Sequence, residues 1–180
     1  MVKIAIIAVL MLFLNSSSAS SQPNNAVLQN YIDELQIKQV VDDIDNTCDA
    51  KDWAKCRKYF LDEIDVDFTS LAGGSPSHIK ADELISGWNK GLYKDKLSHH
   101  MRTNHQIEVN GDSAEVFSKG YALNILQIKN GSDLWEVWGD YHHSLKRTEK
   151  GWKVSYMKFS VVYARGNEKV REYIPEGEKK

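Results

Sequence analysis

Apolar side chains recur at helical spacing near the start of the chain, at Val27, Leu28, Tyr31, Ile32, Leu35, Val40, Val41 and Ile44, with a polar face opposite. That pattern predicts an amphipathic helix over Val27 to Ile44. Asp49 or Asp52 suits the cap of a second helix through Trp53, Cys56 and Tyr59, because a short acidic side chain accepts from the free amides of a first turn. The period then changes. Ile64-Asp-Val-Asp-Phe68 alternates apolar and polar, the pattern of a strand with one buried face. Ala72-Gly-Gly-Ser-Pro76 is a loop. Ser77 to Tyr93 predicts a third helix, with Ile79, Leu84, Ile85, Trp88 and Leu92 on one side.

From Lys96 onward the chain reads as strands. His105 to Val109 runs into Asn110-Gly111-Asp112, a strong hairpin signal. Ser113 to Ile128 is a long strand ended by Asn130-Gly131. Asp133 to Thr148 is the next, turning at Glu149-Lys-Gly151, and Trp152 to Ala164 is the last. Three helices followed by long antiparallel hairpins predict an α+β fold, helices packed on one face of a curved sheet. No internal repeat and no second domain is visible.

Strand parity assigns the faces. Trp135, Val137, Tyr141, His143 and Leu145 share the predicted inner face, and Glu136, Trp138, Asp140, His142, Ser144 and Lys146 the outer one. Trp138 on a polar face points to a partner surface, such as a homodimer. Ala114, Val116, Ser118, Gly120, Ala122, Asn124 and Leu126 form a small-residue row. Small residues on a concave face leave room for a ligand, or let helices pack tightly. His100 and Asn104 have the opposite parity to Ile107 and Val109, so a bulge or strong twist is expected between them.

The two ends read differently. Lys3, the apolar run Ile4 to Leu14, and the small polar Asn15 to Ser20 predict a secretory signal peptide over residues 1–20. Eleven apolar residues are too few to span a bilayer, which takes about 20. The expected mature protein is periplasmic or secreted and not membrane-bound. Gly166 to Lys180 is dense in charge and reads as a solvated tail from residue 167, after one domain over 21–166. A net charge of −2, evenly spread, gives no basic face for nucleic acid. Two cysteines, Cys48 and Cys56, are too far apart for a disulfide along one continuous helix. Across a helical hairpin they either pair or sit as buried small hydrophobes.

Two short strings carry the candidate chemistry: Asp49-Ala-Lys-Asp-Trp53, and His100-Met-Arg-Thr-Asn104 followed by Gly111-Asp112. If the fold joins them, Asp49 orients the His100 imidazole, the minimum equipment for taking a proton from carbon. Taken singly, Asp49 serves equally as a helix cap and His100 as a surface histidine beside His99. Adjacent strand histidines point to opposite faces, and no zinc-spaced motif is present, so no metal is expected. Gly-x-Ser-x-Gly and phosphate-binding glycine loops are absent.

These strings, with the Ile64-x-Val-x-Phe68 strand and the Lys150-Gly-Trp152 turn, resemble the SnoaL-like branch of the nuclear transport factor 2-like superfamily over about Val27 to Gly166. The likeness is to scytalone dehydratases and hexachlorocyclohexane dehydrochlorinases. It implies a cone-shaped fold with a deep apolar pocket, His100 as base and Asp49 as its orienting partner. It places Phe68, Asn104, Asn124, Leu126 and Tyr141 around a small apolar organic substrate. The two tyrosines with which scytalone dehydratases polarise their substrate fall on Cys48 and Phe68 here, and their second pocket histidine falls near Leu126. The expectation is therefore a cofactor-free, dehydratase-like lyase or isomerase that is not a scytalone dehydratase. The alternative is a non-catalytic ligand-binding or assembly module of the same fold.

Overall fold

Alternating segments joined by glycine turns build one sheet that frames the molecule. The structure is a computed structural model and describes residues 25–129 and 131–174. The segment over residues 1–20 that is expected to be a signal peptide lies outside the described residues. Among the described residues there are six strands: β1 (Phe60–Asp67), β2 (Ser77–Lys80), β3 (Leu97–Asn110), β4 (Ser113–Ile125), β5 (Leu134–Thr148) and β6 (Gly151–Gly166). Their order is β2-β1-β6-β5-β4-β3, in a curved sheet that does not close. Neighbours pair antiparallel except β1 and β6, which are parallel. A curved antiparallel sheet was expected, and the β1–β6 seam is where the structure departs from it. The strands β2 to β5, with the segments between them, separate β1 from β6 in sequence, so no hairpin dictates their relative direction.

The helices are α1 (Asn25–Asp49), the single turns α2 (Trp53–Cys56) and α3 (Thr69–Ala72), α4 (Ala81–Gly91) and α5 (Glu168–Glu172). The expectation of three N-terminal helices is corrected to one long helix, short turns and α4. The second predicted helix stops after α2 and a 3-10 turn at Arg57–Tyr59. The first residues of the third are β2, where Ile79 pairs with Ile64 of β1. An edge strand in need of partners overrides the local helical pattern there. Among the described residues, no helix is long and apolar enough to cross a membrane.

Asp33, Ile37, Val41, Ile44, Asp45 and Cys48 form the buried face of α1, whereas Val27, Leu28, Tyr31, Ile32 and Leu35 stay exposed. The two buried carboxylates meet guanidinium groups on the sheet. Asp33 receives two hydrogen bonds from Arg147 at 2.7 and 2.6 Å, and Asp45 two from Arg102 at 2.9 and 2.6 Å. Under this helix and α4 lies the larger core, with Phe60, Ile64, Leu145, Trp152 and Val154. Each such side chain contributes about 1.5–3 kcal/mol by leaving water. A second cluster, Ala122, Trp135, Val137, Phe159 and Val170, lies toward the other end of the sheet.

Glu168–Glu172 corrects the reading of the C-terminal segment as solvated from residue 167. It is helical, its Val170 is fully buried, and the buried Lys96 ammonium donates to the carbonyls of Arg171 and Tyr173 at 2.9 and 3.1 Å. Burial brings Lys96 down to about 8. Trp138 is half-buried on the outer face, its ring 4.9 Å from Tyr121 and 5.6 Å from Tyr163.

Candidate active site

The end of α1 and the start of β3 build the centre. Asp49 is the last residue of α1, and the chain leaves the helix through Lys51 in a left-handed conformation (φ 58°). Asp52, not Asp49, caps the next turn, accepting from the Lys55 amide at 3.0 Å. Asp49 is thereby free to face β3. Its Oδ1 lies 2.7 Å from Nδ1 of His100, and its Oδ2 accepts from the His100 backbone N–H at 2.7 Å. One carboxylate thus fixes both the backbone and the ring of one histidine.

Burial opposes the charge on Asp49, but the hydrogen bonds and electrostatic attraction of His100 outweigh it and hold the carboxyl below its usual range. An ionised carboxylate at Nδ1 keeps the proton on that nitrogen and leaves Nε2 as the basic lone pair. Nε2 has no hydrogen-bond partner among the described residues. The His100 ring lines a cavity of about 300 Å³. That is room for a small organic molecule, at the lower end of ordinary ligand sites.

Phe68, Trp88, Trp135, Val137, Met157 and Phe159 are among the apolar side chains that line the cavity. Asn124 and Tyr141 also line it. Asn124 is 6% exposed, and its side-chain oxygen is buried without a partner. The small-residue row behaves in two ways. A Cβ on Gly120 would sit 2.3 Å from the Tyr141 ring, and one on its cross-strand partner Gly139 would sit 2.5 Å from the Phe159 ring. The room left by these two glycines is taken by aromatic rings. Only toward Ala122 and Asn124 does it open to the cavity.

Two expected pocket residues lie elsewhere. The ladder between β3 and β4 slips between Thr103 and Gln106, and Asn104 sits in that bulge at φ 54°. The bulge was expected. Its consequence for Asn104 was not: the side chain is exposed and accepts from the Thr103 hydroxyl at 2.7 Å. Leu126 lies past the end of β4, where alternation no longer sets its direction. It lines a separate cleft with Tyr93 and Tyr173. Phe68, Asn124 and Tyr141 do share the cavity with His100.

Two further residues, which sequence reasoning did not single out, stand beside the pair. Asp45 lies one helical turn before Asp49, and Arg102 lies two residues after His100. The Arg102 side chain is 1% exposed. Besides gripping Asp45, it lies 3.0 Å from Nε2 of His143 and stacks 4.0 Å from the centre of the Tyr141 ring. Burial, reinforced by the positive charge of Arg102, lowers His143 well below the usual histidine range, so it accepts as a neutral ring. Cys48 lines the cavity too, and its sulfur rests 3.7 Å from that of Cys56 with both thiols free. Among the described residues no group of three or more metal-ligating side chains is gathered.

A family profile for the SnoaL-like domain matches residues 29–158. The chain belongs to this family. Solved structures agree on the fold. A protein of Kribbella flavida, Kfla4162, shares 23% identity over 76% of this chain and 95% of its own, with a TM-score of 0.72. A protein provisionally described as a scytalone dehydratase from Novosphingobium aromaticivorans shares 16% over 84% and 97%, with a TM-score of 0.68. A type 2 hexachlorocyclohexane dehydrochlorinase shares 16% over 84% and 99%, with a TM-score of 0.66. At these identities the likeness establishes the nuclear transport factor 2-like fold of the SnoaL-like chain. No curated protein matches it.

Proposed function

We propose that this SnoaL-like protein is an exported lyase or isomerase that works without a cofactor. In this reading His100 takes a proton from carbon on a small, largely apolar substrate. Asp49 holds its tautomer and stabilises the imidazolium that forms. The observation that carries the proposal is the 2.7 Å Asp49–His100 contact, with Nε2 unpartnered beside an apolar cavity. Solved relatives of the same fold described as a dehydratase and a dehydrochlorinase support an elimination. Such a step needs a base and a leaving group but no electron carrier.

Exchange of carbon-bound hydrogen for deuterium, followed by NMR over a panel of small cyclic ketones, tests the base without knowing the physiological substrate. The wild type should accelerate exchange on at least one member. His100→Ala should lose about 10²-fold or more of that rate. Equal rates in the two proteins would defeat the proposal, and binding without exchange would favour the non-catalytic module. Export is tested by the mass of the native N-terminus, expected near Ser21. The proposal extends to a homodimer through the Trp138 face, which sedimentation of the purified protein checks.

A further inference from the structure

The corner between α1 and α2 holds two nucleophiles that the His100 reading does not use. Cys48 stands on the last turn of α1 and Cys56 ends α2, eight residues apart in sequence. The reversal through left-handed Lys51 brings them together. Backbone bonds close that turn: Lys51 donates to the Cys48 carbonyl at 3.1 Å, and Asp52 to that of Thr47 at 2.9 Å. The sulfurs lie 3.7 Å apart with both thiols free, so they reach covalent length by closing about 1.7 Å. Cys56 is fully buried, whereas Cys48 lines the cavity beside His100. One sulfur of the pair is therefore open to a small reagent, and the other is reached through it.

We propose that Cys48 and Cys56 form a thiol–disulfide exchange site, whose oxidant is a small organic disulfide and whose closed form staples the corner that carries Asp49. Cys48 reacts first. It gives up its proton, and its sulfur attacks one sulfur of the oxidant. The oxidant's S–S bond breaks, and its far half leaves as a thiolate. Cys56 then gives up its proton, attacks the Cys48 sulfur and expels the second half as a thiolate. The two protons convert the leaving thiolates to thiols. Two electrons have passed from the protein to the oxidant, and one S–S bond has replaced another. The first step is slow, because the hydrogen bond with Cys56 and burial push the Cys48 thiol up. The second is fast, because Cys56 already lies against the sulfur it attacks. Asp49 follows Cys48 directly and takes up both the backbone N–H and the ring of His100. A bond across the corner removes chain freedom from the residues between the sulfurs, Asp49 among them. Such bonds persist outside the reducing cytoplasm. The export proposed above supplies that setting, but the site itself rests on the geometry of the pair and not on His100 as a base.

Reduced protein is treated in its folded state with bis(2-hydroxyethyl) disulfide, freed of oxidant, unfolded and exposed to N-ethylmaleimide, and its intact mass is read. The wild type should lose two hydrogens, carry no adduct and take up no maleimide. Cys56→Ser should stop at one mixed disulfide on Cys48. Cys48→Ser should react about tenfold or more slowly, since its remaining sulfur is fully buried. A wild type that keeps two alkylatable thiols, stops at the adduct or links two chains overturns the proposal. The staple is read at the His100 amide, which donates to Asp49. Its hydrogen exchange should slow about tenfold on oxidation and recover on reduction, with the amides of β6 as the control for a general gain in stability. If the His100 amide slows no more than they do, the bond does not act on Asp49 and the staple falls. Neither readout depends on turnover, so failure of the base reading and failure of this one are told apart.

Discussion

Two acid–base clusters lie one helical turn apart on α1 and two residues apart on β3, and they are built for opposite ends. At Asp45–Arg102–His143 the Arg102 donors are taken up by Asp45 and His143, and the Arg102 side chain is sealed from solvent. At Asp49–His100 one nitrogen is satisfied and the other is open, and the two side chains are 19% and 16% exposed. The first is spent mainly on its own pairing: Arg102 grips Asp45 and reaches His143, which stiffens the fold and shapes the Tyr141 ring. The second keeps its basic nitrogen free. Similar residue types on the same two elements are thus divided by solvent access and by what remains unpaired.

The contrast breaks most readily through stability. Arg102→Met should destabilise by about 3–5 kcal/mol, because Asp45 is then left buried without its counter-charge. His100→Ala should cost less than about 1 kcal/mol, since the ring borders a cavity and fills no core position. Denaturant unfolding of the two variants checks both figures. Comparable losses would mean that His100 is as structural as Arg102, and the catalytic reading would lose its main physical support.

Much of this contrast was present in the sequence, but not all of it was readable. Alternation and the Gly111 and Gly151 turns placed the long strands, since each glycine adopts the positive φ its hairpin requires. The Asp49–His100 pair was legible because both ends lie in short recognisable strings. Arg102 was less so. It shares parity with His100, yet an arginine on an inner face reads as an error until its partner Asp45 is seen across α1. Which apolar face of α1 is buried was also hidden, because buried carboxylates with partners on β3 and β5 set it. The parallel β1–β6 seam left no local trace, since pairing between strands so distant in sequence depends on the whole chain path.

A second ion pair on α1 sharpens the comparison by pH. The hydrogen bonds from Arg147, helped by Trp152 and Gln29 against the cost of burial, hold Asp33 down to about 2 from an ordinary 3.8. A depressed carboxylate stabilises the fold fully above its unfolded value and loses that contribution as pH falls through the folded one. The wild type should therefore lose stability between about pH 4 and about pH 2. Asp33→Asn, already weaker at neutral pH, should show a flatter profile there. Parallel profiles for the two proteins would show that Asp33 does not carry this part of the acid response.

The smallest expected effect tests whether the bulge has removed Asn104 from the site. Asn104 holds a positive φ of 54°, a conformation that asparagine tolerates and glycine adopts freely. Its side chain faces solvent, and its hydrogen bond is to its neighbour Thr103. Asn104→Gly removes the amide while keeping the backbone geometry, so stability should change by no more than about 0.5 kcal/mol. Affinity for hydroxylated ring ligands should be unchanged. Asn124→Ala, made in parallel, removes the buried unpartnered oxygen from the cavity wall and should weaken binding of hydroxylated ring ligands, leaving nitrobenzene untouched. If Asn104→Gly weakens ligand binding and Asn124→Ala does not, the side chain at the bulge turns inward in solution. The division between a free imidazole nitrogen and its fixed surroundings would then have to be redrawn along β3.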